Sequence, residues 1–508
     1  MENGNAVDWF IDRHLREGSG DRLAFQDPWR TLTYAGLADA SARFAGALRG
    51  LGIARERRIV LLLQDTIDFP IVFWGAIRAG VIPVPINTLL TADTIHYVLT
   101  DSRAEAVVVS EGLAEALEPV LASIPRVIVS RPDGGPCSLA DILADGDAAT
   151  PAAQASGDEV AFWLYSSGST GAPKGVKHVH SSLRVTADTY GKQVLGIQPD
   201  DVVFSAAKAF HAYGLGNSLT FPQSVGASAV FLPGRPTPDA VLDVMSRKSP
   251  TIFGGVPTLY AALLANPFIA KGAGSTRLRR CISAGEALPE DIGRRWQSMV
   301  GVDILDGIGS TEMLHIFISN RPGDVRYGTS GKPVPGYEAR IVGDHNRPVP
   351  NGEPGELVVR GDSAAEGYWN RRDKSRQTFQ GPWTYTGDTY TKDADGYYRF
   401  QGRSDEMLKV SGVWVSPFEV EEALISHPAV LEAAVIGRQD GDGLVKPKAF
   451  VILQEAAKAQ EKAELTVILQ AHVKDRVGVW KYPRWIAFVD ALPKTATGKI
   501  QRFRLRDT

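Results

Sequence analysis

The sequence predicts an α/β protein: a large N-terminal domain of mixed sheets flanked by helices, with a β-rich subdomain, and then a small α+β C-terminal domain. Three observations lead there. Between Leu37 and Ser130 helix-like and strand-like segments alternate, the pattern of a mostly parallel sheet. After about Asn320 the chain turns to Gly/Pro turns and short strands such as Ala339–Val342 and Glu356–Val359. With 508 residues the chain is also too long for one compact core, so two or more domains are expected.

Element by element, Leu37, Ala40, Phe44, Leu48 and Leu51 recur at helical spacing, with Gly52 placed as a C-terminal stop. Ile59–Leu63 is an apolar run short enough for a buried strand. A helix over Phe69–Ala79, a strand over Ala106–Val109, a helix over Leu113–Ile124 and a strand over Val127–Ser130 follow. The stretch Pro132–Gly157, rich in Asp, Ala, Gly and Pro, reads as a surface connection. Short strands are expected at Val202–Ser205, Ala229–Leu232 and Leu278–Ser283. A second domain is expected from near Asp405, giving a division into 1–404 and 405–508. In it Ser416-Pro417-Phe418-Glu419 is a capping box with proline at the first helical position, and His427-Pro428 closes that helix. Strands at Ala433–Ile436, Ala449–Leu453 and Trp485–Val489 and a helix near Leu465–Val477 complete it.

Composition narrows the function. Hydrophobic residues make up 44% and charged residues 22%, the balance of an ordinary globular protein. The formal net charge of −3 supplies no global basic field for nucleic acid, so polyanions must be held by local clusters. Cys137 and Cys281, the two cysteines, build neither a disulfide framework nor a metal knuckle, which suits a reducing cytoplasm. The N-terminal stretch has no apolar core of a signal peptide. Ile59–Ile86, the most apolar region, is interrupted by Gln64, Asp65, Asp68, Arg78 and prolines, so no membrane insertion is expected.

The most informative stretch is Tyr165–Gly175, YSSGSTGAPKG, which directly follows the apolar run Val160–Leu164. Hydroxyls, glycines and an ammonium after a strand suit an oxyanion-rich ligand. A Walker A loop would end in Gly-Lys-Ser/Thr, whereas Lys174 lies between Pro173 and Gly175. Downstream, Gly307–Glu312 reads GIGSTE, Thr384–Thr389 reads TYTGDT, Gly402–Asp405 reads GRSD and Pro493–Arg502 reads PKTATGKIQR. These five motifs, in this order, resemble the adenylate-forming superfamily of acyl- and aryl-CoA synthetases, peptide-synthetase adenylation domains and luciferases. The resemblance covers nearly the whole chain. It implies that the C-terminal domain is a mobile lid.

Joining a carboxylate to ATP brings an anionic oxygen against an anionic α-phosphate, a repulsion of about 4 kcal/mol at roughly 4 Å and an effective dielectric near 20. Cations, N–H donors and a metal must relieve it. The resemblance assigns ATP phosphates to Ser166, Ser167, Gly168, Ser169, Thr170, Gly171 and Lys174. It assigns the α-phosphate to Thr311, and Mg²⁺ to Glu312, a hard oxygen ligand. Ribose falls to Asp388 with Arg403, and adenine to Ser283, Ala284, Gly285 and Glu286 together with Asp306, Gly307, Ile308 and Gly309. Many members of the superfamily carry tyrosine where Ile308 stands; an aliphatic side chain covers a purine face without ring stacking. Lys499 matches the lysine that reaches the substrate carboxylate and α-phosphate. Asp405 matches the hinge about which the lid turns. Ser411 and Gly412 match the segment lining the pantetheine tunnel of CoA, and Trp414 is either tunnel lining or core.

For the acid, the family's amino-acid-activating members hold the ammonium with an aspartate, and His211 stands at that place in His211-Ala212-Tyr213-Gly214. An unpaired cation in a dry pocket is costly, which argues against an amino acid. With Ile308, Gly309 and His315 the stretch resembles benzoate- and hydroxybenzoate-CoA ligases; a satisfied core histidine is the other reading of His211. His178 and His180 flank the loop without a third ligand at zinc-site spacing, so no metal is assigned there. The expectation is an ATP- and Mg²⁺-dependent ligase that joins a small aromatic carboxylic acid to CoA through an aroyl-AMP. Rival expectations are a short- or medium-chain acyl-CoA synthetase, an adenylating enzyme loading a carrier protein, and a luciferase-like oxygenase. Oligomeric state stays open, a homodimer included.

Overall fold

The computed structural model describes residues 4–131, 133, 135, 137–168, 171–269, 274–404, 406–410, 413–441, 444–479, 481–494 and 500–506. A nine-stranded sheet runs in the order Lys332–Pro333, Ile316–Ser319, Ile304–Gly309, Arg280–Ser283, Ile252–Gly255, Val202–Ser205, Ser228–Val230, Leu23–Gln26, Thr31–Thr33. Its middle pairs are parallel, from Leu23–Gln26 across to Ile304–Gly309. The outer pairs on either side are antiparallel. A second sheet of four parallel strands has the order Ile82–Pro85, Arg58–Leu62, Ala104–Ser110, Val127–Ser130. Every residue of Arg58–Leu62 is buried, as both-faces-covered parallel strands require. All twelve residues of the helix Asp68–Ala79 are buried, so it is apolar around its circumference rather than along a stripe.

The β-rich subdomain is as expected: Glu338–Val342, Gly355–Arg360, Trp383–Lys392 and Phe379–Gln380 pair antiparallel, with Tyr398–Arg403 added to Trp383–Lys392. The C-terminal part has its own core around Leu424, Val435, Val451 and Leu469. Its strands Val430–Gln439 and Val445–Leu453 are antiparallel, and Trp485–Phe488 joins in parallel. The Ser416 half of the capping box forms, its hydroxyl accepting from the Glu419 N–H at 3.1 Å at the head of the helix Pro417–Ile425, while the Glu419 carboxylate accepts from Lys481 Nζ at 2.7 and 2.8 Å.

Two local expectations fail. The single helix over Leu113–Ile124 is two helical turns, Glu111–Ala114 and Glu118–Leu121; Pro119 lacks the N–H that a continuous helix needs and opens the second turn instead. The connection 132–157 contains the helix Ser138–Asp145. Its Leu139 is buried and Ile142 and Leu143 pack on the main core, a stripe at i, i+3, i+4 hidden by acidic and small neighbours. Among the described residues no helix is long and apolar enough to cross a membrane.

Candidate active site

A cleft of about 1110 Å³ opens at the carboxyl ends of Ile252–Gly255, Arg280–Ser283 and Ile304–Gly309, where open α/β sheets place their ligands. The β-rich subdomain and the C-terminal part close its other sides, through Asp388, Arg403, Phe418, Glu421 and Arg502. Eleven of the residues expected to bind nucleotide line this one cleft: Ser166, Lys174, Gly285, Glu286, Gly307, Ile308, Gly309, Thr311, Glu312, Asp388 and Arg403.

Of the stretch expected to be a loop after a strand, the described residues 165–168 and 171–175 lie in two paired strands. Val160–Gly168 pairs antiparallel with Gly171–Val179, with Ser166 opposite Lys174, and Pro173 falls where the register shifts. Tyr165 anchors the hairpin by donating to Asp101 Oδ2 at 2.7 Å. Burial lowers the pKa of Lys174, the Glu312 charge opposes that shift, and Lys374 and Arg403 reinforce it. Lys174, Lys374 and Arg403 all line the cleft and can meet a polyphosphate there, beside the carboxylates Glu312 and Asp388.

Thr311 and Glu312 follow the strand Ile304–Gly309, which turns back into Ile316–Ser319 through Leu314 at φ 66°. A non-glycine residue in that region costs about 1–3 kcal/mol, so the turn is held by its surroundings. Those surroundings are identifiable. The His178 Nε2–H donates to the Thr311 carbonyl at 2.9 Å, and the Ala365 N–H to the Glu312 carbonyl at 2.8 Å. Tyr368 donates its phenol to Glu312 Oε1 at 2.8 Å, and Lys174 Nζ lies 4.6 Å from the Tyr368 ring centroid. Burial pushes His178 down to about 3 and His180 to about 4, so both are neutral, and the His180 Nδ1 accepts from the Ala6 N–H at 3.2 Å. The two histidines fasten the hairpin's base.

Asp388 and Arg403 face each other across Trp383–Lys392 and Tyr398–Arg403, and the Arg403 guanidinium donates to Asp388 Oδ1 at 2.8 Å. Arg403 also donates to the Thr386 carbonyl at 3.0 Å, which leaves the carboxylate oriented within the cleft. Ser283, Ala284 and Asp306 stand behind the cleft wall, buried. Desolvation raises Asp306 to about 8, with the Leu288 N–H at 3.4 Å from Oδ2 opposing the rise.

Of the residues expected around the acid, Ile308 and Gly309 line the cleft, whereas His211, Ala212, Tyr213, Gly214 and His315 do not. Tyr213 donates to the Ile282 and Gly255 carbonyls at 3.0 and 3.1 Å, at the ends of two parallel strands. The His315 Nε2 donates to the Tyr213 carbonyl at 3.3 Å, within an aromatic nest of Tyr190 and Phe221 at 5.0 and 4.5 Å. Burial lowers His315 to about 3, so the ring is neutral. Ala212 and Tyr213 pack on the main core, as does Ile308. Gly214 is buried in the short helix Ala212–Leu215; His211 stands at its N-cap position without a side-chain cap bond and packs edge-on against Phe210 at 4.6 Å.

Ser169, Thr170, Asp405, Ser411, Gly412 and Lys499 lie outside the described residues, as do the side chains of Ser167, Gly168, Gly171 and Trp414. Two contributors escaped sequence reasoning: Tyr368, and His178 as the pin of Thr311. Tyr368 belongs to a two-residue strand, Gly367–Tyr368, too short to show a period. His178 alternates inward on its strand and stacks on Phe162 at 5.1 Å, a periodicity that the sequence does contain.

Residues 11–369 match the family model described as AMP-binding enzyme, and residues 419–499 match its AMP-binding enzyme C-terminal domain. A benzoate–CoA ligase of Thauera aromatica is 54% identical over 509 residues, covering 99% of this chain and 96% of that protein. A 4-hydroxybenzoate–CoA/benzoate–CoA ligase of Rhodopseudomonas palustris is 51% identical, covering 100% and 94%. The crystal structure of a benzoate CoA ligase from Burkholderia xenovorans superposes with a TM-score of 0.93 at 49% identity over 100% of both chains. The cleft at the strand ends, the hairpin beside it and these full-length similarities together mean that the chain belongs to the AMP-binding enzyme family.

Proposed function

We propose that this chain is an ATP-dependent aryl-acid CoA ligase acting in the cytoplasm on benzoate or a hydroxybenzoate. One observation carries the reading. The segment Gly307–Glu312 borders the cleft that Lys174, Lys374 and Arg403 line, and on its other side Gly309 packs against the backbone of His315, whose ring meets the Tyr213 carbonyl. On this reading one stretch of backbone would serve both the nucleotide phosphate and the aromatic acid, an approximation worth several kcal/mol of barrier.

In the first step a carboxylate oxygen attacks the α-phosphorus and the bond to pyrophosphate breaks. Lys174 and the hairpin hold the leaving phosphates, Thr311 donates to the α-phosphate, and Asp388 with Arg403 holds the ribose. Glu312 fits a magnesium ion: Tyr368 occupies Oε1 and leaves Oε2 for a cation that takes one or two carboxylates plus substrate phosphates. Mg²⁺ would supply positive charge for the departing pyrophosphate. Lys499 enters from the C-terminal part to neutralise the approaching carboxylate. In the second step the CoA sulfur, losing its proton, attacks the acyl carbon and AMP leaves. We divide the chain at 404/405 and assign to Asp405 the turn of the lid that exchanges Lys499 for the CoA tunnel of Ser411 and Gly412.

A panel of carboxylic acids in a CoA-dependent AMP-release assay tests the reading. Benzoate and hydroxybenzoates should release AMP and pyrophosphate and yield a thioester only with CoA present. Turnover confined to aliphatic acids, or oxygen replacing CoA as the requirement, would overturn it.

A further inference from the structure

We infer that Tyr368 is a positioning residue for Glu312: its phenol fixes one carboxylate oxygen so that the other is presented to a divalent cation, while its ring seats Lys174. The inference rests on the reading of Glu312 as the metal ligand. Its geometry comes from contacts of the hydroxyl, the ring and the backbone. The Tyr368 hydroxyl donates to Glu312 Oε1 at 2.8 Å, lies 3.4 Å from Thr378 Oγ1, and belongs to a side chain only 6% exposed. The ring sits 4.6 Å from Lys174 Nζ on one side and 5.5 Å from Phe379 on another. Its backbone is equally fixed: Tyr368 pairs with Val176 of the hairpin, and its N–H donates to Ser375 Oγ at 3.0 Å.

A metal-ligating carboxylate that rotates freely presents either oxygen, and ordering it on each binding event costs entropy. A hydrogen bond to one oxygen removes that freedom, which is why outer partners of metal ligands matter nearly as much as the ligands. The same residue takes Lys174 on its ring face, a cation–π contact in a partly dry site. One side chain therefore ties together the cation and the carboxylate that would share the phosphates.

The test reads metal binding directly. Mn²⁺ is titrated into the full chain with ATP present, and free Mn²⁺ is followed by electron paramagnetic resonance. Tyr368→Phe keeps the ring and its packing. It should weaken Mn²⁺ binding about tenfold or more, within the range typical for losing such a partner. ATP binding in the presence of a chelator should be unchanged. Glu312→Gln is the reference. Weakening by Glu312→Gln with none from Tyr368→Phe would overturn the inference while leaving the reading of Glu312 intact. Mn²⁺ binding untouched by Glu312→Gln would remove that reading and the inference with it. Loss of metal-free ATP binding in Tyr368→Phe would mean that the phenol shapes the cleft generally, which also overturns it.

Discussion

Gly309 joins the two halves of the site, and replacing it with alanine should damage both. A β-carbon there would lie 2.5 Å from the His315 carbonyl oxygen, 2.7 Å from its carbon and 2.8 Å from the Ile316 nitrogen. All three are backbone atoms, so no side chain can swing aside. Carbon and carbonyl oxygen meet comfortably at about 3.3 Å, so the strands Ile304–Gly309 and Ile316–Ser319 must separate by roughly 0.8 Å. Overpacking of this kind costs about 1–3 kcal/mol of stability. The larger effect should be on chemistry, because Thr311 and Glu312 follow two and three residues later and His315 immediately precedes the opposing strand. A misplacement near 1 Å can cost about 100-fold. Gly309→Ala should therefore lower kcat/KM for benzoate-dependent AMP release about 100-fold and lower the calorimetric unfolding midpoint. Gly234→Ala is the control, since nothing lies within 4 Å of its β-carbon position, and it should change neither quantity measurably. A Gly309→Ala enzyme with wild-type kcat/KM would refute the claim that this backbone contact sets the site.

Asp388→Ala should raise KM for ATP by about 10- to 100-fold, the worth of hydrogen bonds to a charged group, in AMP-release assays at varied ATP; an unchanged KM would remove the ribose assignment. Lys499→Ala should lower adenylation by about 10²–10³-fold yet spare thioester formation from pre-made aroyl-AMP. Asp405→Pro, with φ locked, should do the reverse, and both are read by assaying the half-reactions separately. Asp306 keeps its proton when folded to about pH 8, whereas an unfolded aspartate releases it near about 4. The folded chain then holds more protons in that window, so stability falls as pH rises through it. Asp306→Asn should remove that slope, and its unfolding midpoint should gain on the parent's between pH 5 and pH 8.5.

Much of this was legible locally. Leu37, Phe44 and Leu48 announced the helix Tyr34–Gly50, and Ser416-Pro417-Phe418-Glu419 announced its own cap, because both signals depend on neighbours a turn away. YSSGSTGAPKG and GIGSTE were recognisable as strings, and the cleft does collect Lys174, Thr311 and Glu312. The hairpin form of the first was not legible. Its strands are defined by cross-strand pairing and by Tyr368 adding from nearly two hundred residues away.

The sequence alone therefore determined which chemistry is present: hydroxyls, a lysine, a carboxylate and an acid–arginine pair, in an order that short-range periodicity could place on elements. Tertiary structure alone decided their electrical state and aim. Burial is a sum over contacts distant in sequence, so only the folded chain could make His178 and His315 neutral, hold a proton on Asp306, and set a buried phenol against Glu312.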